Sequence, residues 1–203
     1  MIKKLYEIRG SSMEMKKESR IYGKREFLKI INEATYSAIK YRKNMKLISK
    51  EFQTNIMLAV TEVNGCQICS YYHTKNAIDE GIDDLELKSL LTGSLDNVKP
   101  AEAQALLFAQ HYASEKENYS DETFQKVKEH YGKDIAYGIL ANTRLISFGN
   151  AYGINNGNFK SRFTKEGRIK GSKLINELFI IISPILAFPI TMVFNIFRKM
   201  KYD

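Results

Sequence analysis

The residues whose types and spacing suit chemistry are two cysteines and a histidine, all within positions 62–73. Cys66 follows an Asn-Gly turn and is predicted in the first turn of a helix, where unpaired backbone N–H groups and the helix dipole favour a thiolate. Cys69 lies three residues later on the same helix face, so the two sulfurs are close enough to form a disulfide. The pair is therefore expected to cycle between dithiol and disulfide.

His73 is the predicted proton carrier of this segment. It lies four residues beyond Cys69 and seven beyond Cys66, which puts its imidazole on the same stripe of the helix, where it can accept or relay a thiol proton. Glu62, just ahead of the turn, could orient the imidazole. Helix position favours Cys66 as the attacking thiol, whereas proximity to His73 favours Cys69, so the order of attack stays open. This chemistry requires no metal and no bound organic cofactor.

The cysteine pair has three other interpretations. Both cysteines could be small buried hydrophobic residues, since free cysteine is readily buried. A structural zinc site needs a fourth ligand, and the remaining candidates, His111 and His130, lie on other predicted helices. Haem attachment requires a histidine directly after the second cysteine, where this chain has Ser70. Haem is therefore excluded.

The elements that must position this segment are helices, since apolar residues recur at three- and four-residue intervals and no stretch alternates like a strand. Caps and glycines divide the pattern into six or seven helices, at about 25–44, 50–63, 66–80, 83–91, 100–113, 120–132 and 135–152. Three glycines between Ser147 and Gly157 indicate close helix packing, or a loop near the site, at the end of the last helix. The sequence predicts an all-α domain.

The run MLAVTEVNGCQICSYYHTKNAIDEGI resembles the CxxC-x3-H segment of the alkylhydroperoxidase D-like branch of the carboxymuconolactone decarboxylase family. The likeness extends more loosely over residues 25–158. It implies an all-helical fold that assembles as dimers, trimers or hexamers, with Cys66 and Cys69 as the redox pair and His73 as the relay. It also implies hydroperoxide or disulfide substrates and an external thiol reductant. The family's lactone decarboxylases lack the cysteine pair, which favours the redox branch.

One departure from the family pattern concerns the proton relay. The alkylhydroperoxidase D proteins have a glutamate twelve residues before the first cysteine, where this chain has Thr54. Glu62 lies eight residues later on the same predicted helix, about 80° around its axis. Glu62 could replace the missing glutamate or could be a solvated neighbour of the turn, and both readings stay open.

Charge is distributed unevenly along the chain. Residues 1–50 contain 14 Lys/Arg and 5 Asp/Glu, residues 51–158 contain 8 and 15, and residues 159–203 contain 9 and 3. Basic ends around an acidic middle suit an anionic membrane surface better than nucleic acid. The N-terminal stretch has no apolar run typical of a signal peptide, and two cysteines are too few for a secreted disulfide scaffold. The domain is therefore expected in the cytoplasm.

The C-terminal part differs from everything before it. Residues 178–197 form a stretch of 20 residues without a charge, about the length that crosses a bilayer as a helix. Lys and Arg are denser before this stretch than after it, which predicts a cytoplasmic domain anchored to the membrane. The alternatives are a hydrophobic helix docked on the domain or on a neighbouring subunit, and a segment kinked at Pro184 and Pro189 that dips into the bilayer and returns.

The leading hypothesis is an oxidoreductase that acts on hydroperoxides or disulfides. The alternatives are a membrane-tethered interaction protein of the same fold without turnover, and a lactone decarboxylase-like enzyme. The predicted organisation is a basic tail, the helical domain, a basic linker and a hydrophobic membrane-anchoring segment, at 1–24, 25–158, 159–173 and 174–203.

Overall fold

The computed structural model describes residues 20–165 and 167–202, with side chains as far as residue 198. Within these residues every regular element is a helix, which confirms the all-α prediction. There are nine described helices: α1 Lys24–Lys40, α2 Arg42–Met45, α3 Lys50–Asn64, α4 Gln67–Asp79, α5 Asp84–Thr92, α6 Pro100–Ser114, α7 Asp121–Tyr131, α8 Lys133–Ser161 and α9 Leu174–Tyr202.

The larger hydrophobic core surrounds α3, which packs against α4, α5, α6 and α8. Ser49 caps the start of α3 by accepting a hydrogen bond from the Phe52 backbone N–H, at 3.2 Å. The α3 side chains that enter this core are fully buried, and they meet apolar residues of α5, α6 and α8: Ile56, Leu58, Ala59, Val60, Leu87, Leu90, Leu106, Phe108, Ile139 and Leu140. Burial of this many aliphatic groups fixes α3 and therefore the turn that follows it.

A second hydrophobic cluster lies between α1, α8 and α9, and Cys66 belongs to it. Its other buried members are Tyr22 just before α1, three residues of α1, two of α8 and one of α9: Tyr22, Phe27, Ile30, Ile31, Ala151, Ile154 and Ile180. Cys69 packs at its edge. We call this set the cysteine cluster; it joins the C-terminal helix to the predicted redox site.

Helix boundaries differ from the prediction in two places. The first helix ends at Lys40, and Tyr41 separates it from the short α2, whereas one helix was expected to continue to about Asn44. The helix expected to end at Tyr152 continues to Ser161, through all three of its late glycines. Tertiary packing outweighs the helix-weakening effect of glycine there, because α8 is buried against its neighbours.

The predicted basic tail lies largely outside the described residues, which begin at Arg20. The described end of that tail is packed: Tyr22 is fully buried, and Arg20 donates to both carboxylate oxygens of Glu117, at 2.7 and 2.6 Å. The segment just before α1 is therefore part of the folded core.

Candidate functional site

The turn between α3 and α4 places Cys66. Gly65 ends α3 in the left-handed conformation, with φ 74°, and its N–H donates to the Thr61 carbonyl at 2.8 Å. Glycine adopts this conformation without the steric cost that a Cβ would bring. Cys66 then becomes the N-cap of α4, one position before the first helical turn in which it was expected.

Cys66 and Cys69 are joined by a disulfide, with their Cα atoms 5.3 Å apart. Cys66 Sγ accepts a hydrogen bond from the Cys69 backbone N–H at 3.4 Å, as an N-cap side chain does. The two cysteines differ in exposure, since Cys66 is 2% exposed while Cys69 is half-buried. A molecule arriving from solvent therefore meets Cys69 first.

Helix α8 covers the disulfide with glycine rather than with a side chain. A Cβ at Gly153 would lie 2.9 Å from Cys66 Sγ and 3.0 Å from Cys69 Sγ. The Gly149 carbonyl oxygen lies 3.7 Å from Cys69 Sγ, within reach of an S–H donor in the reduced protein. The prediction of close packing by the late glycines is correct for Gly153, although its contact with the sulfurs could not be foreseen from spacing alone.

His73 lies one turn after Cys69 on α4, as the spacing predicted. The residue is half-buried, and its Nδ1 is shielded from solvent without a hydrogen-bond partner among the residues that the structure describes. Burial lowers the pKa of His73 below its ordinary value of 6.5, because the charged imidazolium loses solvation. The neutral imidazole is therefore the form present at neutral pH, and it is able to take up a proton.

Glu62 connects α3 with the helix that carries the cysteines. Its Oε1 accepts a hydrogen bond from Ser70 Oγ at 2.5 Å, and Ser70 is buried one residue after Cys69. This bond holds the start of α4 to the end of α3. Thr54, at the position of the family's glutamate, is buried on α3. A direct contact between Glu62 and His73, which the sequence suggested, stays a prediction.

Tyr71 and Tyr72 flank this segment on the surface of α4. Both rings are exposed, at 43% and 58%, and they pack edge to face with their centroids 5.7 Å apart. Neither ring belongs to the buried core. Their exposure leaves two aromatic faces on the surface of α4, two and three residues after Cys69.

Within residues 20–165 and 167–202, no three His, Cys, Asp or Glu side chains are grouped so that they could hold a metal ion. His111 and His130 lie on α6 and α7.

The chain matches no protein-family model, no curated protein sequence and no solved structure. The disulfide-bonded CxxC at a helix start is thus the chemical feature from which a function has to be inferred.

Proposed function

We propose that the protein is a thiol-dependent oxidoreductase of the alkylhydroperoxidase D-like type, with Cys66 and Cys69 as its redox pair and His73 as its proton relay. The observation that carries the proposal is a disulfide at a helix N-cap between one buried and one partly exposed cysteine. A purely structural disulfide has no need of a partly exposed cysteine one helical turn before a neutral imidazole.

The difference in exposure between the two cysteines supports one order of events. An external thiolate attacks Cys69 Sγ, the S–S bond breaks, and Cys66 leaves as a thiolate that accepts the Cys69 N–H bond. A second thiol of the reductant then attacks its own sulfur in the mixed disulfide and releases Cys69. The protein disulfide has gained two electrons and two protons, and the reductant has become a disulfide.

The reduced pair can return the electrons to a hydroperoxide. The Cys69 thiolate attacks the O–O bond, which gives a Cys69 sulfenic acid and an alkoxide that takes a proton to become the alcohol. Cys66 then attacks the sulfenic sulfur, water leaves, and the disulfide is restored. One hydroperoxide and two thiols become one alcohol, one water and one disulfide, and neutral His73 accepts and returns the protons.

The test uses the full chain and begins with the reduction potential of the pair, read by alkylation and mass spectrometry across glutathione ratios. A reversible disulfide between about −180 and −300 mV would support turnover. When glutathione disulfide is added, Cys66→Ser should then accumulate a mixed disulfide on Cys69, because the Cys69 thiolate attacks the S–S bond and releases one glutathione thiol, and Cys69→Ser should not. Trapping on Cys66 alone would reverse the assigned order, and a pair that stays locked as a disulfide would refute the enzyme.

A second candidate function is that of an interaction protein in which the disulfide is structural. It is favoured by the burial of Cys66 in the cysteine cluster and by the absence of a glutamate at Thr54. In that case neither hydroperoxide nor disulfide would be consumed by the full chain. If activity on a lactone survived the double change Cys66→Ser with Cys69→Ser, the decarboxylase alternative would replace both.

The C-terminal helix supports a location for this activity. Residues Leu174–Arg198, 25 in number, are long and apolar enough to cross a membrane, and most of their surface is exposed. We propose that this segment brings a cytoplasmic domain to a membrane. Protein that stays in the soluble fraction of the cell, with or without residues 174–203, would argue against this location.

A further inference from the structure

A helix that packs on a water-soluble domain usually turns its apolar side chains toward the domain and its polar ones toward water. Helix α9 does largely the reverse. Its polar side chains face the domain: Glu177 and Asn195 are 1% and 0% exposed. Apart from Ile180 and its neighbours in the cysteine cluster, most of its large apolar side chains point away from the domain, and those that are more than half exposed include Ile182, Ile185, Leu186, Ile190, Val193 and Phe197. We call these six residues the apolar face; water is an unfavourable neighbour for it.

Specific polar contacts hold α9 in this orientation. Glu177 forms an ion pair with Arg162, with Nε–Oε2 2.5 Å, and also accepts from Ser172. Further along the helix, Thr191 donates to Thr35 Oγ1 of α1 at 3.1 Å. Near its end the Asn195 amide donates to Asn32 Oδ1 at 3.1 Å. These bonds occur at the start, middle and end of α9, so its rotation about its own axis is fixed.

The same contacts are incompatible with a helix that crosses the bilayer while docked. Since α9 lies along α1, a spanning α9 would carry α1 into the hydrocarbon. Helix α1 exposes Arg25 and Lys29, and charged side chains at that depth are strongly disfavoured. A docked α9 therefore contacts a bilayer from the side, within the interface.

The basic residues at the two ends of α9 indicate which kind of surface the apolar face contacts. The turn that leads into α9 exposes Lys165, Arg168, Lys170 and Lys173, and Arg198 is exposed near its other end. Phe163 beside this turn is 76% exposed, as interfacial aromatic residues are. In a two-fold dimer through α9 the basic ends would face each other and repel, whereas anionic lipid head groups complement them.

We infer that the apolar face is a docking site for an anionic bilayer surface, on which α9 lies in the plane of the membrane while it stays packed on α1. This inference rests on the membrane location proposed above and specifies its geometry. The cysteine cluster includes Ile180 of α9, so docking would hold the redox pair close to the lipid surface.

A cross-link between α1 and α9 tests whether α9 stays docked. In full-length protein with Cys66→Ser and Cys69→Ser, the changes Thr35→Cys and Thr191→Cys should form a disulfide, because the parent hydroxyls are 3.1 Å apart. We expect the locked protein to float with phosphatidylglycerol-containing vesicles as well as its reduced form does. Binding by the reduced form alone would overturn the in-plane geometry, and so would failure of the cross-link to form.

Matched serine substitutions test the apolar face in the otherwise unmodified full chain. Ile185→Ser with Ile190→Ser should weaken vesicle binding by about tenfold or more, because both side chains would enter the interface. Leu85→Ser with Leu107→Ser, at positions 64% and 52% exposed on α5 and α6, should change it less than twofold. Equal losses of vesicle binding in the two double variants would overturn the assignment of the apolar face as the membrane contact.

Varying the lipid charge of the vesicles tests whether the partner is an anionic membrane. Pure phosphatidylcholine vesicles should bind about tenfold or more weakly than anionic ones, and added salt should narrow the difference. Binding without regard to lipid charge would overturn the anionic partner. If no vesicle binds and light scattering gives a dimer that Ile185→Ser with Ile190→Ser dissociates, the partner is a second copy, and the proposed membrane location fails with the inference.

Discussion

Gly153 of α8 leaves no room for a side chain against the disulfide. In Gly153→Ala the new methyl group would lie 2.9 and 3.0 Å from two sulfurs that the disulfide prevents from moving apart. We expect the oxidised protein to lose about 1–2 kcal/mol of unfolding free energy in urea, since overpacking outweighs the better helix propensity of alanine. The reduced side chains can rotate away, so the disulfide should also become easier to reduce.

The matched control is one turn further along the same helix. Gly157 is exposed, and a Cβ there would meet nothing within 4 Å. Gly157→Ala should therefore stabilise the protein by about 0.5–1 kcal/mol and leave the reduction potential unchanged. Equal effects at the two glycines would show that Gly153 does not contact the sulfurs in solution.

Titration of His73 predicts a pH dependence of stability. Because its pKa is lowered in the folded protein, the unfolded chain binds a proton more readily below about pH 6.5. Unfolding then takes up a proton, so the unfolding free energy is highest above pH 6.5 and falls on acidification, by at most about 1.4 kcal/mol per pH unit. Urea denaturation at pH 7.5 and 5.5 should show a smaller fall in His73→Gln, and an unchanged fall would refute the assignment.

At the scale of elements, a side-chain hydrogen bond joins the end of α3 to the start of α4. Ser70→Ala removes the hydroxyl that donates to Glu62 Oε1 at 2.5 Å, and we expect a loss of about 1–2 kcal/mol in urea unfolding. Thr74→Val is the control on the same helix, because the Thr74 hydroxyl donates only to the Ser70 carbonyl of α4 itself. If both variants lose the same unfolding free energy, the hydrogen bond between Ser70 and Glu62 does not stabilise the junction of the two helices.

The spacing of the cysteines and the histidine correctly predicted that one helix, α4, carries Cys69 and His73. An Asn-Gly turn before Cys66 is a local signal, and the disulfide three residues apart follows from helix geometry. Helix α8 was predicted too short, because the effect of Gly149 and Gly153 depends on what packs against them. That neighbour is the disulfide, and no local pattern indicates a contact between residues 80 or more positions apart.

At the scale of the whole molecule, the sequence indicated an apolar C-terminal helix but not the face on which it docks. Hydrophobicity alone favours turning apolar residues inward, and α9 turns Thr191 and Asn195 inward instead. Their partners, Thr35 and Asn32, lie more than 150 positions away in the sequence. Predicting such an arrangement requires knowing both helices together and the medium around them.

Two isoleucines of α9 test whether the helix is part of the fold. Ile180 is 0% exposed in the cysteine cluster, whereas Ile185 is 72% exposed. Ile180→Ala leaves a cavity beside Cys66, so we expect a loss of about 2–4 kcal/mol in unfolding free energy. In reduced protein it should also speed alkylation of Cys66, which is otherwise 2% exposed. Ile185→Ala should leave both quantities unchanged.

Comparing Ile180→Ala with Ile185→Ala distinguishes two descriptions of the C-terminal segment. If it is an independent anchor joined by a loose linker, neither isoleucine affects the unfolding of the domain, and Cys66 reacts at one rate in both variants. If α9 completes the cysteine cluster, only Ile180→Ala lowers stability and exposes the thiol, because only that side chain contacts the cluster. Faster alkylation in Ile180→Ala alone would then show that α9 also controls access to the cysteine pair.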